Sequence, residues 1–342
     1  MTRCGTLRAR TGDDPSALRK SALCDDVMGA YLRVGVDENG LGPRLGPLVV
    51  TAAGARVNEE GVDPEAALVQ ARALGLLGDS KGLVSFRDDA LGEAWARVLV
   101  GRHGGDAKTP NDVLKVLHHD EVTWLRALCP EAHAPQCWNV EGESFHAPDA
   151  LVAQVGALAE SLESQGILLM LPKVALRCTA RLNEALLAGV SRFDADLRAM
   201  ESLVASCMHQ GLKLHAVCGK VGSRDRYLDV FKVLPAREVV FFDEARNESI
   251  YRFGDHTVVR FIKDADASDS FVGLASLVGK WTRDLLMDRI VRHHQRAVPD
   301  APRVSGYHDP RTANFVELTR VARKHSGLPD TCFERAKRES AS

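Results

Sequence analysis

The chain has 342 residues, 45% of them hydrophobic, enough to bury one large core or two modest ones, which excludes global disorder. Its 44 Lys and Arg against 46 Asp and Glu give a formal net charge of −2, so nothing global advertises a polyanion partner. The eight cysteines (Cys4, Cys24, Cys129, Cys137, Cys178, Cys207, Cys218, Cys332) contain no C-x-x-C pair; with no signal-peptide core in the first 27 residues and no segment near the roughly 20 apolar residues of a membrane span, a reduced, soluble, cytoplasmic protein is expected.

In chain order, residues 1–27 read as a loose extension or a misplaced start, because Met28 is followed directly by the ordered-looking "GAYLRVGVDE". "YLRVGV" (31–36) and "GPLVVTAAGARV" (46–57) are short, β-branched and bounded by turn residues, which predicts a hairpin joined by a glycine loop. From about Asp63 to Gln210 the chain is rich in Ala and Leu and reads as mostly helical. It is interrupted by "RHGGDAKTPND" and by the loop-rich "CPEAHAPQCWNVEGESFHAPD". "LKLHAV" (212–217) predicts a strand, and "REVVFFDEARNESIYRFGDHTVVRFI" two or three more, turning at "EARNE" and "FGDH". Apolar residues near a single face predict a long helix from about Ser268 to His294 with a basic C-terminal end, and "DPRTANFVELTRVARKH" a last amphipathic helix. From Leu277 onward 13 Lys/Arg face 8 Asp/Glu, a bias that suits either a polyanion or a solvated helix face.

The acidic pair Asp37 and Glu38 ends the first strand, ahead of a loop with Gly40 and Gly42. A dinucleotide fingerprint fails, since Leu45 holds the third glycine position and a strand follows where a helix is needed. Successive strand residues face opposite ways, so the two carboxylates meet at one ion only where the strand bends or ends. The glycines allow such a bend and let backbone N–H groups approach a ligand. Carboxylates from separate strands suit hard divalent cations such as Mg²⁺ or Mn²⁺; a solvated strand end is the plainer alternative. Cys129, His133, Cys137 and His146 lack the spacing of paired zinc ligands.

Four segments in order carry a resemblance. "GVDENGLGPRLGPL" closely resembles the opening motif of the ribonuclease HII family, G-[IV]-D-E-[AV]-G-R-G-P-L-x-G-P. "GDSK" (78–81) looks like its N-D-S-K-K-L segment, "KDADASDSFVGLASLVGKWTRDLLM" (263–287) its K-x-D-A…A-A-S-I-x-A-K-x-x-R-D-x-x-M stretch, and "GYHDPRT" (306–312) its G-Y-x-T segment. The matches run from Val34 to about Lys337.

The resemblance implies a ribonuclease H-like α/β fold, a mixed central sheet flanked by helices. It implies a hydrolase that cleaves the RNA strand of RNA–DNA hybrids, or nicks 5′ of a ribonucleotide in DNA, using Mg²⁺ or Mn²⁺. By the same resemblance Asp37, Glu38 and Asp266 match catalytic, metal-binding acids. Gly40, Leu41, Gly42, Lys81, Lys280 and Tyr307 fall at substrate-binding positions, and Arg283 joins Lys280 on the long helix. The expected partner is an RNA–DNA hybrid or ribonucleotide-containing duplex; the sequence leaves the oligomeric state open, with a monomer as the default expectation.

The family's third acid, in "V-D-G", is Cys218 here, within "HAVCGK". A thiol is a soft ligand, unsuited to Mg²⁺. Three readings stand: another acid serves, with Asp225, Asp243 or Glu244 as candidates; the chain is a weakened, nucleic-acid-binding homologue; or it uses a different metal. Leu41 replaces the family's loop arginine, which bears on recognition of a lone ribose 2′-hydroxyl. The 181 residues from Asp37 to Cys218 imply a mostly helical insertion within about 85–210 of a domain spanning 28–300, followed by a C-terminal helical segment and tail at 301–342.

Overall fold

A computed structural model describes residues 29–58, 62–77, 89–130, 136–208 and 211–336. Its strands are β1 (Tyr31–Asn39), β2 (Leu48–Val57), β3 (Ile167–Leu169), β4 (Lys173–Arg177), β5 (Lys213–Gly219), β6 (Val239–Glu244), β7 (Glu248–Phe253) and β8 (Thr257–Ile262). Its helices are α1 (Pro64–Ala73), α2 (Ala90–Arg102), α3 (Pro110–Leu117), α4 (Val122–Arg126), α5 (Asp149–Ser164), α6 (Thr179–Leu187), α7 (Arg192–Met208), α8 (Ala265–Ser268), α9 (Ser270–Gln295), α10 (Pro310–Leu318), α11 (Arg320–Ser326) and α12 (Asp330–Phe333).

The eight strands form one mixed sheet in the order β3-β2-β1-β5-β8-β7-β6, with β4 sharing the outer edge of β2 beside β3. β1 and β2 make the expected antiparallel hairpin, and β1 runs on through the acidic pair, with Asp37 opposite Thr51 and Glu38 opposite Val50. β5 lies parallel to β1 and to β8, which places the C-terminal ends of three neighbouring strands on one edge. The remaining strands turn back as the antiparallel meander β6-β7-β8.

Helices cover both faces, as α/β layer architecture requires. On one face Val49, Ala53 and Ala55 of β2 pack with α2, α3, α5 and α9 through Trp95, Leu99, Leu114, Phe271, Leu274 and Trp281. On the other, Val34, Val36, Val50 and Cys218 pack with Leu197, Met200, Leu203 and Val204 of α7. α9 comes so close to β1 that a β-carbon on Gly35 would run into the backbone of Phe271 and Val272. A third core joins Leu45 and the second half of α9 (Met287, Ile290, Val291) to Phe315 and Phe333 of the C-terminal helices.

Two expectations change. The stretch 63–210 is not all helical, because "ILL" and "KVALR" pair with β2 and complete the sheet edge. Their apolar runs are too short to show a period, and the exposed edge of β2 decides their conformation. The last amphipathic helix is divided into α10 and α11 at Thr319, whose hydroxyl donates to the Phe315 carbonyl at 2.7 Å. Among the described residues no helix is long and apolar enough to cross a membrane.

Candidate active site

Alternation along β1 sends Gly35, Asp37 and Asn39 toward α9, and Val34, Val36 and Glu38 toward α7. The acidic pair therefore straddles the end of the strand. Asp37 accepts a hydrogen bond from Ser276 of α9, and protein crowds it so closely that burial raises its pKa to about 7. The Ser276 bond works against that rise, while the charges of Glu38 and Asp266 add to it. Glu38 is oriented by the loop that follows it, accepting the Leu41 amide at 3.1 Å.

Asp266 reaches the site through a tight connection. β8 ends in a turn where Asp264 adopts φ +52°, the one left-handed non-glycine among the described residues, and the four-residue α8 then carries Asp266, 9% exposed. Asp269 stops α8 and caps α9, accepting from the amides of Phe271 (3.1 Å) and Val272 (3.0 Å). The same carboxylate pairs with Arg33 of β1, so the start of α9 is fastened to the strand that bears Asp37.

The glycine loop is held from far along the chain. Gly40 has φ +95°, and a β-carbon there would lie 2.5 Å from Nε of Arg283 and 2.9 Å from the Pro47 carbonyl. Arg335, 3% exposed, donates to the carbonyls of Gly40 (2.7 Å) and Gly46 (2.9 Å). Arg44 pairs with Glu334 at 2.6 Å, and the amides of Arg44 and Leu45 both donate to the Gly306 carbonyl at 2.8 and 3.0 Å. The Leu41 side chain packs against the α7-side core, anchoring the loop where the family resemblance places an arginine.

These segments line one open cleft of about 870 Å³. Asp37, Glu38 and Asp266 contribute to it together with Gly40, Leu41 and Gly42, and its wall includes Lys280, Arg283, Tyr307 and two further carboxylates, Asp264 and Asp284. Tyr307 is 47% exposed, with the Arg283 guanidinium 4.9 Å from its ring centroid; Arg283 also donates to the Ser305 carbonyl at 2.7 Å. Lys220 lines the cleft too, but its ammonium is spent on Asp225 (2.8 Å) and the carbonyls of Ala245 (2.6 Å) and Arg246 (3.0 Å).

Cys218 stands elsewhere. It pairs in register with Val36, is 0% exposed in the α7-side core, and does not line the cleft; burial pushes its thiol up. The residue that faces Asp37 from β5 is Gly219, whose β-carbon would lie 3.1 Å from Oδ1 of Asp37. None of the three acids considered as substitutes lines the cleft. Asp225 serves Lys220, Glu244 accepts from Tyr251 and the Tyr227 amide, and Asp243 lies on the edge strand β6. Lys81 and His133 lie outside the described residues. Cys129 and Cys137 line a small apolar cavity with Cys178 and Cys332, while the His146 amide binds Glu93.

A carboxylate that sequence reasoning missed lies under the pair. Asp196 of α7 is 0% exposed, neither of its oxygens has a hydrogen-bond partner among the described residues, and burial raises its pKa well above the usual range, with Glu38 and Asp37 adding to the rise. The signal was present: Asp196 falls in the helical stripe of Met200, Leu203, Val204 and Cys207, where an apolar residue belongs.

The donor set fits a hard divalent cation by its chemistry, being carboxylate oxygens with a crowded negative charge. Among the described residues no three His, Cys, Asp or Glu side chains already surround a common point.

No family model and no curated protein matches the chain. Solved structures do. A chain of the PCNA and RNase HII complex from Archaeoglobus fulgidus is 16% identical at a TM-score of 0.41, with 91% of this chain and 98% of that one covered. Bst-RNase HIII in complex with Mn²⁺ is 15% identical at 0.45, covering 96% and 72%. The ribonuclease H2 of Pyrococcus horikoshii OT3 is 16% identical at 0.37, covering 88% and 92%. At such distances these likenesses assign no activity.

Proposed function

We propose that the protein is a divergent endoribonuclease of the ribonuclease HII type, dependent on Mg²⁺ or Mn²⁺, that cleaves the RNA strand of an RNA–DNA hybrid to leave 3′-hydroxyl and 5′-phosphate ends. One observation carries the reading: motif residues as far apart as Asp37 and Tyr307 line a single open cleft. A duplex enters such a cleft, whereas an enzyme for a small phosphate ester needs a closed pocket.

Asp37, Glu38 and Asp266 hold the cation. When bound, it supplies the charge that activates water and stabilises a leaving oxygen. Ser276 fixes Asp37, and the Leu41 amide fixes Glu38. Gly40 and Gly42 bring backbone close to the sugar-phosphate chain, the exposed Tyr307 ring takes the sugar with Arg283 behind it, and Lys280 contacts phosphate; the motif resemblance assigns the same role to Lys81. With Leu41 offering no guanidinium, extended hybrid is the preferred substrate over a single embedded ribonucleotide.

A second reading, a nucleic-acid-binding homologue without cleavage, is favoured by the position of Cys218, since β5 turns no carboxylate into the cleft. The two are separated with an end-labelled hybrid and a duplex carrying one ribonucleotide, each in Mg²⁺ and in Mn²⁺. The enzyme cleaves the RNA strand, and Asp37→Asn abolishes cleavage while retaining binding. Cleavage that survives Asp37→Asn sinks the mechanism, and binding without cleavage by the wild type leaves the second reading.

A further inference from the structure

We propose that Asp196 is a ligand of the divalent cation, taking the place of the carboxylate that β5 does not supply; this rests on the reading of Asp37, Glu38 and Asp266 as cation ligands.

The position of Asp196 is built by the sequence around it. Ser191 caps the first turn of α7, its hydroxyl bonded to the Asp194 carboxylate at 2.6 Å and accepting the Asp194 amide at 3.1 Å. Arg224, just beyond β5, donates to Asp194 at 2.8 Å, and Phe193 lies against Gly222. The first turns of α7 are thus pinned beneath the C-terminal ends of β1 and β5, where the acidic pair emerges. Farther along, Leu203 and Cys207 lie beside Val34 and Ala52, deeper in the sheet, so α7 runs away from the cleft and Asp196 marks its near end.

A carboxyl placed there as mere filler would need a partner. If ionised it needs a donor, and if protonated its O–H needs an acceptor; neither oxygen has either among the described residues. The neighbouring charges it senses, Glu38 and Asp37, are both negative. Asp196 lies beneath the cleft and not in its wall, and a buried carboxyl short of partners beside two more carboxylates is the arrangement that a hard cation satisfies, whereas the cleft-lining Asp264 and Asp284 already pair with Lys263 (4.0 Å) and Arg283 (3.4 Å). The same feature explains how the chain keeps an acidic site with Cys218 in the core and Gly219 beside Asp37, since the missing oxygen ligand comes from the helix under the sheet.

The test is Mn²⁺ binding to the full chain, followed by calorimetry and by electron paramagnetic resonance of the free ion, with thermal melting of the cation-free protein as a second measurement. Wild type binds Mn²⁺; Asp196→Asn and Asp37→Asn each weaken binding by more than ~100-fold, beyond the ~10–100-fold that loss of an outer-shell partner costs, and a smaller loss in Asp196→Asn than that overturns its assignment as a ligand. The cation-free Asp196→Asn protein melts no lower than wild type, because the amide carries no negative charge beside Glu38 and Asp37 and its N–H groups can donate to them. Adding Gly219→Asp to Asp196→Asn restores binding by returning an oxygen ligand beside Asp37. Asp196→Asn that binds Mn²⁺ as wild type does while Asp37→Asn does not, or that melts well below wild type without cation, overturns the assignment and leaves the three-acid reading intact. Wild type that takes up no Mn²⁺ overturns both.

Discussion

The Arg335 guanidinium donates to the Gly40 carbonyl at 2.7 Å, joining the penultimate part of the described chain to the loop beside the acidic pair. It spans to the Gly46 carbonyl as well, so one buried cation closes both ends of the glycine loop. Removing it takes the Arg335 donor from the Gly40 and Leu41 carbonyls and leaves Gly46 only the longer Thr179 bond at 3.5 Å. Arg335→Met is expected to lower stability by about 3–6 kcal/mol in denaturant melts, at about 1.5–3 kcal/mol for each of the two charge-assisted bonds, and to weaken cleavage through loss of loop geometry. Arg335→Lys reaches only one carbonyl and falls between.

Adjacent positions on β5 respond in opposite ways to the same new side chain. Cys218→Asp places a carboxylate in the apolar core beside Val36, and is expected to cost several kcal/mol without adding a ligand. Gly219→Asp places it beside Asp37, where the new β-carbon lies a tight 3.1 Å from Oδ1 and that carboxylate shifts by a few tenths of an ångström, and it is expected to keep the fold and strengthen Mn²⁺ binding. Melting curves with and without Mn²⁺ for the two variants decide it.

Gly40 is required by both its backbone and its surroundings. Gly40→Ala meets a strained φ of +95° and the Arg283 side chain, so a loss of about 1–3 kcal/mol is expected, with Arg283 displaced from Tyr307. Gly42, with nothing near its missing β-carbon, is the control; Gly42→Ala is expected to change melting little.

Asp269 caps α9 and neutralises Arg33 at once. Asp269→Ala loses the cap and leaves the mostly buried Arg33 guanidinium only Glu65 at 3.9 Å and the carbonyls of Val34 and His215, for an expected cost of roughly 2–4 kcal/mol. Asp269→Asn keeps the cap and is expected to lose less, a difference measurable in urea.

His294 makes the third core sensitive to acid. It is buried between Phe315 and Phe333 with Nε2 2.9 Å from Gln136, and burial, with help from His293 and Arg323, lowers its pKa to about 3. A depressed pKa means that the unfolded chain binds the extra proton first. Stability conferred by the neutral ring is therefore complete above the ordinary histidine value of ~6.5 and is lost as pH falls from there toward about 3, at up to ~1.4 kcal/mol per unit. His294→Phe is expected to flatten that slope between pH 6 and 4 (about the range where the unfolded histidine titrates); an unchanged slope would assign it to other groups.

The local chemistry of the sequence determined the hairpin with Asp37 and Glu38 at its end, the strands around residues 213 and 257, the long helix after Asp266, and the order of motifs that meet at the cleft. These are properties of neighbouring residues: β-branched runs, turn residues, helical spacing and caps. Only the tertiary structure decided that "ILL" and "KVALR" are strands, because their conformation comes from the free edge of β2. It also decided that Cys218 faces the core and Gly219 faces Asp37, because that depends on which strand lies alongside and in what register. Asp196 and Arg335 belong to the same class. Each is an ordinary charged residue in the sequence, and each acquires its significance from burial against partners that chain folding brings together over more than a hundred positions.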